Sequence, residues 1–163
     1  MKIRERIWYD LIDTKYKQEY LILYYEKIEN QNKVIDNMLM LITFAGIFGW
    51  YKFAEYNVFW AFLLALLNGF RIMKTKFLVP DQEISNLKAV YEFYVDHSRK
   101  LENLWLNHNS YRIDEHKAEE LFEKYRDEER LASKMYKHGK VKEQKSLVSK
   151  ARASTERYLT KIS

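Results

Sequence analysis

The chain has 163 residues, a formal net charge of +5 and no cysteine, which excludes disulfides and thiolate metal centres and suits a reducing compartment. Hydrophobic residues make up 47% of it, yet the mean hydropathy is -0.52, so the apolar content is gathered in one region between charged flanks. Four glycines and one proline are too few for a turn-rich β-protein and point to long helices.

The first predicted element is an amphipathic helix over residues 1–33. Ile7, Leu11, Thr14, Gln18, Leu21, Tyr25 and Ile28 recur at alternating steps of four and three, a helical stripe with polar breaks at Thr14 and Gln18. Trp8, Ile12, Tyr16, Tyr20 and Leu23 widen the apolar face. A face this broad needs a partner: another helix, a second copy or a membrane surface. The opening residues Met1 to Arg6 lead into mixed polar and apolar sequence, so no cleavable leader is expected and targeting falls to the next element.

Residues 34–79 read as a helical hairpin in a bilayer. Asn37–Tyr51 and Tyr56–Phe70 carry no charge and are divided by Lys52, Phe53, Ala54 and Glu55. Each run would extend roughly 22 Å, against a hydrocarbon core of ~30 Å, so spanning requires Lys52 and Arg71 to reach back to the interface. Trp50, Tyr51, Tyr56 and Trp60 gather at the turn, where amphipathic rings favour the lipid–water boundary. Lys27, Lys33, Arg71, Lys74 and Lys76 flank the base and Lys52 alone the tip, which places both termini in the cytoplasm.

Inside the spans, Ala61, Ala65 and Gly69 form a small-residue strip, with Ala45 and Gly49 a shorter one. Such strips let helices approach closely, within one hairpin or between subunits. Asn68 must find a hydrogen-bonding partner or water, which makes it the leading candidate to line a wet path. Thr43 and Asn37 are weaker candidates, and Thr43 could simply bond its own backbone. Two spans cannot enclose a channel, so a pore requires several copies about an axis, a tetramer being one closed arrangement.

Residues 80–163 are predicted to be a helical cytoplasmic region, making the whole chain all-α. Pro80 and Asp81 open a helix in which Ile84, Leu87, Tyr91, Tyr94, Ser98, Leu101 and Trp105 keep heptad spacing. Two fates are open to this seam: assembly between copies, or packing against Leu121 and Tyr125 or the N-terminal helix. Asn107 to Ser110 form a turn, Asp114 caps a helix through Leu121, Phe122, Tyr125, Ala132 and Met135, and Gly139 ends it. A last helix carries Val141, Gln144, Val148, Ala151, Thr155, Tyr158 and Ile162.

Between Asp114 and Arg130 there are eight acids and four bases, and from Lys134 onward nine bases and two acids. Lys134, Lys137, Lys140, Lys142 and Lys145, with Lys150 and Arg152, could neutralise phosphates of a nucleotide or nucleic acid, or meet anionic lipid. The plainer reading pairs them with the acidic helix. No phosphate loop, zinc motif or nucleophile elbow occurs, so neither enzymatic activity nor a cofactor is expected. Asp114, Glu115 and His116 are better read as a capped helix start than as a metal site.

A charged, tyrosine-rich N-terminal helix containing Tyr16-Lys17-Gln18-Glu19-Tyr20, then a tight two-span hairpin, then a charged helical region, resembles the SLATT family of bacterial two-span membrane effectors. It is similar in plan to the membrane effector of the Hailong anti-phage system. That resemblance covers the chain in layout and implies a homo-oligomeric inner-membrane channel. The channel would be opened by a nucleotide or oligonucleotide signal from a partner nucleotidyltransferase, depolarising the infected cell. A membrane-anchored scaffold that recruits a protein partner, and a soluble bundle using its basic tail on nucleic acid, are the competing readings.

Overall fold

The computed structural model describes residues 2–52, 58–59, 61–63, 65–66, 69, 79–135 and 143–162. Among these it is all-helical: α1 spans Ile3–Lys52, α2 Asp81–Asn109, α3 Glu115–Met135 and α4 Lys145–Ile162. The contacts divide the chain into two compact units, one of Met1–Tyr25 with Ser85–Ser163 and one of Glu26–Ile84.

The first unit is an antiparallel helical bundle. The predicted stripe of α1 supplies Ile3, Ile7 and Leu11 to a core completed by Leu101, Leu104 and Trp105 of α2 and Ala118 and Phe122 of α3. Trp8 and Trp105 meet with ring centroids 4.9 Å apart. Toward the other end of this α1 segment, Tyr20 packs with Leu147 and Ala151 of α4, flanked by Tyr16, Leu23, Tyr24 and Val148. Burying side chains of this size stabilises by about 1.5–3 kcal/mol each, which is what sets the helix faces. The two fates open to the α2 seam thus resolve for Leu101 and Trp105, which lie in the chain's own core. Leu87 is buried as well, and Ile84, Tyr91 and Tyr94 are half-buried.

Polar breaks in two stripes meet one another. Ser98, the polar member of the α2 seam, places its hydroxyl 2.9 Å from Gln18 Oε1, and Lys15 Nζ donates to the same oxygen at 3.0 Å. A polar pair in an apolar seam is satisfied in one register only.

Helix boundaries follow local chemistry. Pro80 stands one position before α2, its carbonyl accepting from Glu83 and Ile84, rather than within the first turn. At the end of α2 the Arg112 amide donates to Asn107 O at 2.9 Å and the Tyr111 amide to His108 O at 3.2 Å. Tyr111 between them adopts φ 56°. This is the left-handed helix-ending motif usually built on glycine. Asp114 caps α3, its Oδ1 accepting from the Lys117 amide at 2.7 Å. Gln144 rather than Val141 adjoins the start of α4: its carbonyl accepts from Leu147 and Val148, and its amide donates to the Tyr20 hydroxyl at 3.0 Å. Gly139 and Val141 lie outside the described residues.

In the second unit the less exposed face of α1 runs through Ile28, Asn32, Ile35, Leu39 and Gly46, at heptad-like steps. Asn32 donates from Nδ2 to the Val79 carbonyl at 3.1 Å. Among the described residues no helix is long and apolar enough to cross a membrane.

Candidate functional site

The second unit carries many apolar side chains that are exposed among the described residues. Val34, Met38, Met40, Leu41, Phe44, Ile47 and Phe48 of α1 are exposed, Phe48 at 71%, and so are Val58 (85%), Phe59, Phe62 and Leu66. Isolated apolar residues are common on protein surfaces, but a contiguous field of this kind marks an interaction surface.

The small-residue strip lies in this field. Ala61, Ala65, Gly69 and Ala45 are exposed, and a Cβ built on Gly69 would meet nothing within 4 Å. Within a single chain the strip therefore faces open space at Gly69, leaving its close-approach surface unused. Gly49 is a residue of α1. Thr43 directs its hydroxyl to the Leu39 carbonyl at 2.7 Å, the self-bonded arrangement, so it offers a path only its acceptor lone pairs. Asn37 is exposed. Asn68, the aromatic residues Tyr56 and Trp60, and the basic residues Arg71, Lys74 and Lys76 lie outside the described residues.

In the first unit the charged side chains are organised around α3. Arg6 of α1 donates to Glu119 at 3.1 Å and to Glu123. Lys17 bridges Asp13 at 2.6 Å and Glu129 at 2.9 Å, and Lys100 of α2 meets Glu128 at 2.6 Å. The acids of α3 thus draw their described interhelical cations from α1 and α2 rather than from the basic tail. Sequence periodicity did not predict this, because these partners are separated by up to 117 positions.

Lys17 stands in a polar cleft of about 440 Å³ whose lining includes Tyr94, Arg126, Glu129, Arg130 and Ser133. Burial pushes its ammonium down, but the hydrogen bonds it donates to Asp13 and Glu129 outweigh that and hold its pKa above the ordinary lysine range. Tyr94 is raised, first by burial. Asp10 nearby is raised by burial, partly offset by Arg126. Behind the cleft His97 is 1% exposed and stacks on Phe93 at 5.4 Å. Neither ring nitrogen has a hydrogen-bond partner, and Nε2 lies 3.9 Å from Glu129 Oε2. Burial lowers its pKa. In the chain His97 stands among the polar residues Asp96, Ser98 and Arg99; its burial follows from its place beside the α2 seam.

Of the proposed ligand-binding lysines, Lys134 and Lys145 are exposed, while Lys137, Lys140 and Lys142 lie outside the described residues. On α4 the buried side is Leu147, Ala151 and Thr155. Lys150, Arg157 and Lys161 recur at steps of seven and four along one exposed flank, which places them on one helix face. His116 is exposed, and Asp114 is engaged as a cap. Among the described residues no group of three or more metal-ligating side chains comes together.

No protein-family model, curated protein or solved structure matches the chain.

Proposed function

We propose that the chain is a two-span membrane protein that assembles into a homo-oligomeric pore in the bacterial inner membrane, opened from the cytoplasmic side by an anionic nucleotide signal. The observation that carries this reading is the field of apolar side chains exposed among the described residues from Val34 to Phe48 and at Val58, Phe62 and Leu66. In water such a field would drive aggregation, and lipid or a second copy is its natural cover. The charge-free runs fall short of the hydrocarbon core, a mismatch that flanking Lys52 and Arg71 and local thinning of the bilayer would accommodate at modest cost. Copies meet through the strip at Ala61, Ala65 and Gly69, because Leu101 and Trp105 are already covered by their own chain. The exposed cations of α4 attract the signal. The layout resembling SLATT effectors supports the same role, with depolarisation of the infected cell as the outcome.

Reconstitution tests the proposal. The chain is expected in the membrane fraction, and the purified protein in planar bilayers is expected to pass ionic current. Recovery as a monodisperse species in buffer without surfactant would overturn the membrane reading. Membrane association with neither current nor depolarisation on overexpression would leave a scaffold in its place.

A further inference from the structure

At one end of the bundle, the Trp8–Trp105 pair forms part of a cavity of about 540 Å³ that Lys2, Arg4, Glu5 and Asn109 complete. That volume is within the range of small-molecule sites, which pair an apolar wall with a few polar groups. The wall here is indole. Trp105 is 7% exposed, and Trp8 is half-buried against it with the planes inclined by 38°.

The polar groups are of a particular kind. Arg6, two positions further along α1, is neutralised by Glu119 and Glu123. Lys2 and Arg4 are exposed and make no ion pair among the described residues. Glu5 is occupied, its carboxylate accepting from the Lys2 backbone amide at 3.3 Å. The Asn109 side chain likewise has no hydrogen-bond partner among the described residues and is exposed. The cavity therefore combines an aromatic face for stacking, two uncommitted cations and an amide that can donate and accept at once. The Lys17 cleft differs, because its cations are already matched to acids.

We propose that this cavity binds a nucleoside phosphate, the base stacking on Trp8 with Asn109 at its edge and the phosphates between Lys2 and Arg4. The assignment deepens the ligand part of the proposed function, on which it rests for the nucleotide's role, by giving the ligand a site on the bundle; it does not require a pore.

Equilibrium dialysis of the full chain in detergent micelles, with ATP as the probe, tests it. ATP is expected to bind, with adenosine alone and pyrophosphate alone each about tenfold weaker or worse, because each keeps only half of the contacts. Arg4→Glu changes an exposed side chain and is expected to weaken ATP about tenfold and flatten its salt dependence. Trp8→Phe keeps a ring in the core and is expected to cost several-fold. Absence of ATP binding at millimolar concentration would overturn the proposal, as would wild-type affinity in Arg4→Glu. Affinity lost instead on Lys150→Glu and Arg157→Glu, with Arg4→Glu unaffected, would place the anion on α4 and overturn it equally. Bilayer currents measured alongside keep the two readings separable.

Discussion

The two units of this chain use the same kind of helix for opposite ends. Of the sixteen large hydrophobic residues exposed among the described residues, twelve belong to Glu26–Ile84, whereas of the fifteen buried hydrophobic residues of any size that unit holds only Ile28. The bundle follows the rule for water, with its apolar stripes turned inward and its charges paired across helices. The other unit inverts it. A helix keeps its backbone satisfied in any medium, so what separates the two units is the side chains they expose.

The contrast can be broken most severely at the apolar field. Leu41→Lys introduces a charge costing about 2.5–3.5 kcal/mol at a span centre. It is expected to shift the chain out of the membrane fraction while leaving the helical content of the bundle intact by circular dichroism. Unchanged membrane recovery would mean that the field serves another purpose.

Next in size is Phe122→Ala, which removes a 2% exposed ring from the bundle core. A loss of about 3–5 kcal/mol is expected in denaturant unfolding of the full chain in micelles, with membrane association retained. A loss of both together would show that the units are not energetically separate.

The smallest expected effect concerns His97. Its pKa is lowered in the folded chain by burial, so the unfolded chain takes up the proton first as the solution is acidified. Its contribution is fully present above the unfolded value of about 6.5 and is lost as pH falls toward the folded value, by at most about 1.4 kcal/mol per pH unit. Its neighbours pull both ways. Glu129 and Glu128 of α3 favour the charged ring, and Lys100 of α2 and Lys17 of α1 oppose it. His97→Phe should remove this slope below pH 6.5, measured as midpoint against pH. An unaltered slope would assign it to the carboxylates.

Much of this architecture was legible in the sequence because it is local. Asp114 as a cap and the stripes of α1 and α2 follow from residues within a few positions of one another, whereas the turn expected at Asn107–Ser110 falls at Ser110–Tyr111 because α2 continues through Asn109. The pairing of α3 with Arg6, Lys17 and Lys100 was not legible, since periodicity gives the direction of a face and not its partner. Among the described residues, Glu119, Glu123, Glu128 and Glu129 of α3 meet Arg6, Lys17 and Lys100, while Lys137, Lys140 and Lys142 of the tail lie outside them. Sequence left Thr43 undecided between a path and its own backbone, and only the position of its hydroxyl relative to Leu39 distinguishes them. The Trp8–Trp105 contact was likewise hidden, because each tryptophan reads alone as an ordinary member of a stripe.

The hydrogen bond between Ser98 and Gln18 limits how the bundle can move. Sliding α2 along α1 by one turn, about 5.4 Å, would break this bond and leave the Ser98 hydroxyl to its own Val95 carbonyl at 2.9 Å and Gln18 to Lys15, whereas a small tilt or rotation keeps the two helices joined. The bond therefore favours pivoting over a ratchet between these two helices, by about the 0.5–1.5 kcal/mol that one hydrogen bond contributes.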